Sequence, residues 1–251
     1  MDKKICIVTG ASGGIGIKIV RKFIEEDYFV IMADLDAAKM SFAAAENGLN
    51  EDSYRICPLD ITKEETVRDT LAGLHSEYGR FDALINAAGI CGQYSKTIEY
   101  SFDNFRKIYE VNVFGTFLMM KYVLPYMTEQ KEGAIVNFGS VSGMRGYPYE
   151  IGYGSSKWAV IGMSENVASE YGGEGIRCNS VSPGWVDTPM MKKTIDNYRE
   201  IDDPQKCVSY GSIRRAARPE EIADAVYYLC SQQASFINGT NLTVDGGMII
   251  Q

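Results

Sequence analysis

Seven short apolar runs recur along this chain, most of them separated by stretches with helical spacing. They read ICIVTG from Ile5, FVIMAD from Phe29, YRICPLD from Tyr54, ALINAAG from Ala83, AIVNFGS from Ala134, IRCNSVSPG from Ile176 and NLTVDGG from Asn241. Most are continuous and not alternating, the pattern of strands buried on both faces of a parallel sheet. Between them lie GIKIVRKFIEED, KEETVRDTLAGLHSEYG and PEEIADAVYYLCSQ. The last opens on Pro219 and two glutamates, which suit a first helical turn. This alternation specifies an α/β, doubly wound fold with about seven parallel strands flanked by helices. A length of 251 residues without repeat or linker predicts one domain over 1–251.

Several function classes fall away on composition. A net charge of −8, with no basic cluster beyond Arg214, Arg215 and Arg218, argues against nucleic acid as a partner. No stretch approaches the roughly 18 apolar residues of a membrane span. The apolar run behind the MDKK start ends in a glycine loop, so a cytoplasmic protein with no membrane association is expected. The six cysteines (Cys6, Cys57, Cys91, Cys178, Cys207 and Cys230) form no C-x-x-C pair, and no metal site is expected. His75, the one histidine, lies in a charged helical stretch and reads as a helix-surface residue. A histidine-based hydrolase and a zinc-dependent dehydrogenase are both disfavoured.

In a doubly wound sheet, ligands bind beyond the carboxyl ends of the strands. The residues there are Gly10, Asp34, Asp60, Asn86–Gly89, Ser140 and Pro183–Gly184, polar or glycine where strand interiors are apolar. After the first strand comes TGASGGIG, which has no Lys-Ser/Thr pair and so is no nucleoside-triphosphate loop. Gly10 would turn the strand, Gly14 would admit a pyrophosphate and Gly16 would let helix and strand pack closely. Ser12, Gly13 and Ile15 complete the loop. Asp34, 18 residues beyond Gly16, ends the second strand, where a carboxylate accepts from both ribose hydroxyls and repels a 2′-phosphate. With no cation at Ser12 or Gly13, and Lys39 the nearest downstream, the cofactor expected is NAD. Leu35 follows Asp34, and Asp60 with Ile61 would meet the adenine, although Asp60 also suits a helix-capping turn.

Tyr153 and Lys157 stand four apart in YGSSK, on one face of a helical stretch. Taken with TGASGGIG, NAAG at Asn86–Gly89, NVFG with Asn112, SVS with Ser140 and SPGWVDTPM, they make the chain resemble the short-chain dehydrogenase/reductase family from about Lys4 to Gly247. The resemblance implies a Rossmann-type fold with Asn112, Ser140, Tyr153 and Lys157 as catalytic residues. Tyr153 would exchange a proton with the substrate oxygen, and Ser140 would hydrogen-bond that oxygen. Lys157 would bind ribose hydroxyls and favour the phenolate. An ammonium roughly 4–5 Å away contributes about 3–4 kcal/mol at an effective dielectric of about 20. Asn112, placed in mid-helix, would hold a water linking Lys157 to solvent. Asn86, Ala87 and Gly89 would form the floor beneath the adenosine, with Asn86 mainly structural. Pro183, Gly184 and Val186 would turn the chain over the nicotinamide, and Thr188 would bond its carboxamide.

These roles imply an NAD(H)-dependent oxidoreductase interconverting a secondary alcohol and a ketone. The small-molecule substrate stays open between a hydroxysteroid or cyclic alcohol and a sugar or polyol. The stretch MRGYPYEIG, residues 91–94 and Trp185 are expected to line its pocket, with Tyr147, Tyr149 and Trp185 as aromatic walls. Residues 190–212 read as an irregular substrate lid. A 3-oxoacyl-thioester reductase using NADPH is the first rival, and Asp34 argues against it. A non-catalytic nucleotide-sensing protein is the second, disfavoured because all four catalytic positions are filled. The resemblance also implies a homo-oligomer, a tetramer or a dimer, pairing helices around Asn112 and Tyr153.

Overall fold

The computed structural model describes residues 3–201 and 210–250. Its seven strands are β1 (Lys4–Thr9), β2 (Tyr28–Asp34), β3 (Tyr54–Pro58), β4 (Ala83–Asn86), β5 (Gly133–Phe138), β6 (Ile176–Pro183) and β7 (Asn241–Val244). All pairings are parallel, in the order β3-β2-β1-β4-β5-β6-β7. Each apolar run of the sequence is one of these strands.

Their continuous apolarity has a direct cause. On β1, Cys6 and Val8 face one core while Ile5 and Ile7 face a second, and all four are essentially inaccessible. The first core packs β1 and β2 against α1 (Gly16–Glu25), α2 (Ala37–Glu46) and α8 (Pro219–Cys230) through Phe23, Met40 and Val226. The second packs the opposite face against α3 (Glu64–Tyr78) and α5 (Thr116–Gln130) through Leu71 and Val123. Burying an aliphatic side chain of this size contributes about 1.5–3 kcal/mol, so neither face tolerates a polar residue cheaply.

The chain order reverses between β1 and β4, since β1 is bonded to β2 on one side and to β4 on the other. That reversal opens a crevice above the strand ends, where ligands of such sheets bind. Two further helices follow: α6 (Ile151–Tyr171) packs on β5 and β6 and brings Tyr153 and Lys157 to the crevice, and α4 (Phe102–Tyr109) packs against α6. A helix α7 (Pro189–Ile201) lines the crevice through Met190, Met191, Thr194 and Tyr198.

This last helix corrects the expectation of an irregular segment over 190–212. Pro189 starts it, and Thr194 and Tyr198, four apart, are its buried residues. Both carry hydroxyls, so no apolar stripe marks the helix in the sequence. The part of the expected lid at 202–209 lies outside the described residues. Among the described residues, no helix is long and apolar enough to cross a membrane and no cluster of metal-ligating side chains occurs. His75 is half-buried, stacked on Tyr126 with centroids 4.1 Å apart, and is not among the residues lining the crevice.

Candidate active site

The crevice is a cavity of about 760 Å³. It is lined at one end by Gly10, Ser12, Gly13, Gly14, Ile15, Gly16, Asp34, Leu35, Asp60 and Ile61. Towards the other end come Ala87, Gly89, Ser140, Tyr153, Lys157, Pro183, Gly184, Val186 and Thr188. Of the catalytic and cofactor-binding residues read from the sequence, only Asn86 and Asn112 do not line it.

The geometry of the first end fits a dinucleotide. A Cβ on Gly16 would lie 2.1 Å from the Gly10 carbonyl oxygen, so only glycine lets α1 begin this close to the strand turn. Helix α1 has no side-chain cap and no acidic residue in its first turn, which leaves its N-terminus free to meet an anion. The Asp34 carboxylate is held in place by Ser12. The Ser12 amide and hydroxyl both donate to Asp34 Oδ2, at 3.0 and 2.6 Å. Lys39 lines the same end, with its ammonium 3.7 Å from the Asp36 carboxylate. Asp60 Oδ1 accepts from the Thr62 amide at 3.0 Å and hydroxyl at 2.7 Å, so it makes the capping turn while still lining the cavity.

At the other end, Ser140 closes the turn after β5 and its Oγ accepts from the Ser142 amide at 3.1 Å. Ser140 lines the cavity together with Tyr153 and is the neighbour that favours its phenolate. Lys157, one helical turn beyond Tyr153, donates to the Phe138 carbonyl at 2.7 Å, with its ammonium 5.6 Å from the Tyr153 ring centroid. A Cβ on Gly89 would come within 3.5 Å of that ammonium and 3.3 Å of Asn112 Oδ1, so the glycine leaves room for both.

Two features of these residues bear on their expected roles. Burial pushes the Tyr153 phenol above its ordinary value, reinforced by the Cys91 thiol and opposed by Ser140. Burial likewise brings the Lys157 ammonium down to about 8. In the chain by itself, desolvation therefore outweighs the lowering expected from the neighbouring cation. Asn112 is also differently placed, within a π-helical segment (Glu110–Gly115) between α4 and α5. Its Nδ2 donates to the Ile90 carbonyl and to Ser156 Oγ, both at 3.0 Å, and its Oδ1 accepts from the Ile90 amide at 2.9 Å. The amide hydrogens are thus used, and only a second lone pair of Oδ1 remains for a water. Ser156 in turn donates to the Tyr153 carbonyl at 2.7 Å, so Asn112 braces α6 at the level of Tyr153.

Asn86 lies within the sheet. Its Nδ2 donates to Asn137 Oδ1 at 2.8 Å, and Asn137 donates to Ser164 Oγ at 2.9 Å, tying β4 and β5 to α6. The Thr188 hydroxyl donates to the Val186 carbonyl at 3.2 Å and accepts from the Met191 amide at 3.3 Å, which caps α7. Of the expected aromatic walls, Tyr147 and Trp185 line the cavity, as do Cys91 and Tyr94. Tyr149 does not; it lines a separate shallow pocket with Ser95 and Lys96.

One residue escaped the sequence reading although the stretch around it was marked. Glu150 is buried and lines the cavity three residues before Tyr153. The Tyr198 hydroxyl, from α7, donates to Glu150 Oε1 at 2.6 Å. Burial pushes this carboxyl up, while the hydrogen bond from Tyr198 and the neighbouring Ser142 oppose the rise. A glutamate in a loop gives no local sign of burial, because the helix that covers it lies nearly fifty residues away.

Known proteins agree with this architecture. A family profile described as enoyl-(acyl carrier protein) reductase matches residues 10–249. A 3-oxoacyl-[acyl-carrier-protein] reductase of Thermotoga maritima is 33% identical over 100% of this chain and 99% of its own. The structure of an NAD+-bound xylitol dehydrogenase has a TM-score of 0.91 at 31% identity, covering 97% of this chain and 98% of that one. The structure of ElxO with NADP bound has a TM-score of 0.90 at 33% identity, covering both chains fully. The fold is that of the nicotinamide-dependent oxidoreductases. The chain belongs to the short-chain dehydrogenase/reductase family.

Proposed function

We propose that this protein is an NAD(H)-dependent oxidoreductase that interconverts a secondary alcohol and a ketone within one domain. The observation that carries this reading is that Tyr153, Ser140 and Lys157 share one cavity with the glycine loop and Asp34. A bound nicotinamide would supply the hydride acceptor or donor. In alcohol oxidation, Tyr153 Oη takes the hydroxyl proton while the carbinol hydrogen leaves as hydride; in reduction, Tyr153 returns the proton. Ser140 Oγ steadies the charge on the substrate oxygen. Lys157 holds the ribose and favours the phenolate as the proton moves. Helix α7 acts as the lid.

Asp34 supports NAD over NADP, since the carboxylate fixed by Ser12 would accept from ribose hydroxyls and repel a 2′-phosphate. The NADPH-dependent 3-oxoacyl-thioester reductase remains the competing reading, and Lys39 on the cavity rim is what favours it. Replacing Asp34→Ala separates the two. The account expects the kcat/KM ratio for NAD+ over NADP+ to fall at least tenfold; an unchanged ratio would remove the assignment. Exposed Phe114, Phe117 and Trp158, around Asn112 and Tyr153, support pairing of these helices in a homo-oligomer.

A further inference from the structure

The turn that carries Ser140 rests directly on the backbone of α6. A short helical turn (Val141–Gly143) follows Ser140, and two hydrogen bonds tie it to that residue. The Gly143 amide donates to the Ser140 carbonyl at 2.8 Å, and the Ser142 amide donates to Ser140 Oγ at 3.1 Å. Ser140 therefore moves with Gly143. A Cβ on Gly143 would lie 2.7 Å from the Lys157 carbonyl carbon and 2.9 Å from the Lys157 carbonyl oxygen. A Cβ on Gly154 would lie 3.0 Å from the Ser142 carbonyl oxygen. Neither glycine has a positive φ, so what each supplies is room and not backbone freedom.

One glycine on each element thus lets the two backbones meet, and they meet on the stretch of α6 that presents Tyr153 and Lys157. Ser140, Tyr153 and Lys157 all line the cavity. Carbon atoms in ordinary contact stand about 3.5–4.0 Å apart, so a methyl group at Gly143 would drive the two elements apart by roughly 1 Å. Helix α6 runs for 21 residues and is pinned at this level by the 2.7 Å bond from Lys157 to the Phe138 carbonyl. The turn of three residues is the part that gives way.

We propose that Gly143 is a positioning residue for the reaction: with Gly154 it seats the Ser140 turn on α6, and so sets the spacing of the Ser140 and Tyr153 hydroxyls. This rests on the reading of those two hydroxyls as the pair that meets the substrate oxygen.

Gly143→Ala tests this, made in the wild type and in a Ser140→Ala background. Oxidation of butan-2-ol, cyclohexanol and xylitol is followed with NAD+ and with NADP+, and rates are expressed per NADH-binding site measured by fluorescence. In the wild type, Gly143→Ala should lower kcat about 10–100-fold, the cost of a misplacement near 1 Å. The KM for the nucleotide should stay within about twofold, because the glycine loop is untouched. In the Ser140→Ala background the hydroxyl being positioned is gone, and Gly143→Ala should cost less than about threefold. General damage would lower the rate equally in both backgrounds. Gly154→Ala, with its milder contact, should show a smaller fall of the same kind, and its cycle needs no folded Gly143→Ala protein. An equal fall in both backgrounds, or no fall for either variant in the wild type, overturns this inference while the alcohol-oxidising reading stands. A Ser140→Ala protein as active as wild type, or a wild type that oxidises none of the three alcohols with either nucleotide, overturns that reading of the site as well.

Discussion

Lys157 holds its ammonium 5.6 Å from the Tyr153 ring centroid while donating 2.7 Å to the Phe138 carbonyl. The charge is thereby fixed behind the phenol, one helical turn along α6. At that separation and an effective dielectric of about 20, the attraction of a phenolate for the ammonium is about 3 kcal/mol. Burial opposes it, pushing the phenol up and the ammonium down to about 8. Lysine is therefore still largely protonated at neutral pH and available to favour proton loss from Tyr153.

Lys157→Met should lower alcohol oxidation roughly a hundredfold, the equivalent of about 3 kcal/mol. It should also move the alkaline rise of kcat/KM to higher pH. The pH–rate profile checks this; a fall in rate with the profile unmoved would leave Lys157 only a ribose-binding role.

Glu150 makes a prediction about stability. Its folded-state pKa lies above the ordinary carboxyl value because of burial. Between the unfolded and folded values the native chain binds more protons than the unfolded chain, so stability falls as pH rises through that window. Below the unfolded value, near 4.3, the penalty is absent. Glu150→Gln does not titrate, so its melting temperature should gain on wild type between pH 4 and pH 7, by about 2–4 °C for each kcal/mol of relieved penalty. Thermal unfolding of both proteins at the two pH values measures this. A constant difference would mean the buried carboxyl bears no such penalty.

What the sequence revealed follows physical lines. Each of the seven strands was legible because strands buried on both faces must be continuously apolar, as Ile5 to Val8 show between the two cores. Asp34 and Ser140 were legible because strand ends are where polarity interrupts such a run. Three features were hidden because long-range packing creates them. The π-helical segment around Asn112 leaves no periodicity of its own, and the three hydrogen bonds of its amide reach Ile90 and Ser156. Helix α7 buries Thr194 and Tyr198 through hydroxyls that meet Tyr94 at 3.0 Å and Glu150 at 2.6 Å. Polar residues used in this way resemble a solvent loop. The burial of Tyr153 is hidden for a related reason: a pairwise charge is visible in the spacing of Tyr153 and Lys157, whereas the desolvation that opposes it depends on packing.

The central claim is that Tyr153 Oη moves the proton in a nicotinamide-dependent exchange between alcohol and ketone. Tyr153→Phe removes that oxygen and keeps the ring. The most direct measurement is the formation of reduced nicotinamide from NAD+ and from NADP+ with a secondary alcohol, by wild type and by Tyr153→Phe. NADH binding, followed by fluorescence, is measured alongside. Wild type should turn over with NAD+ in preference to NADP+, and the variant should lose about 10²–10⁴-fold in rate while still binding NADH. Undiminished turnover by Tyr153→Phe would contradict the account.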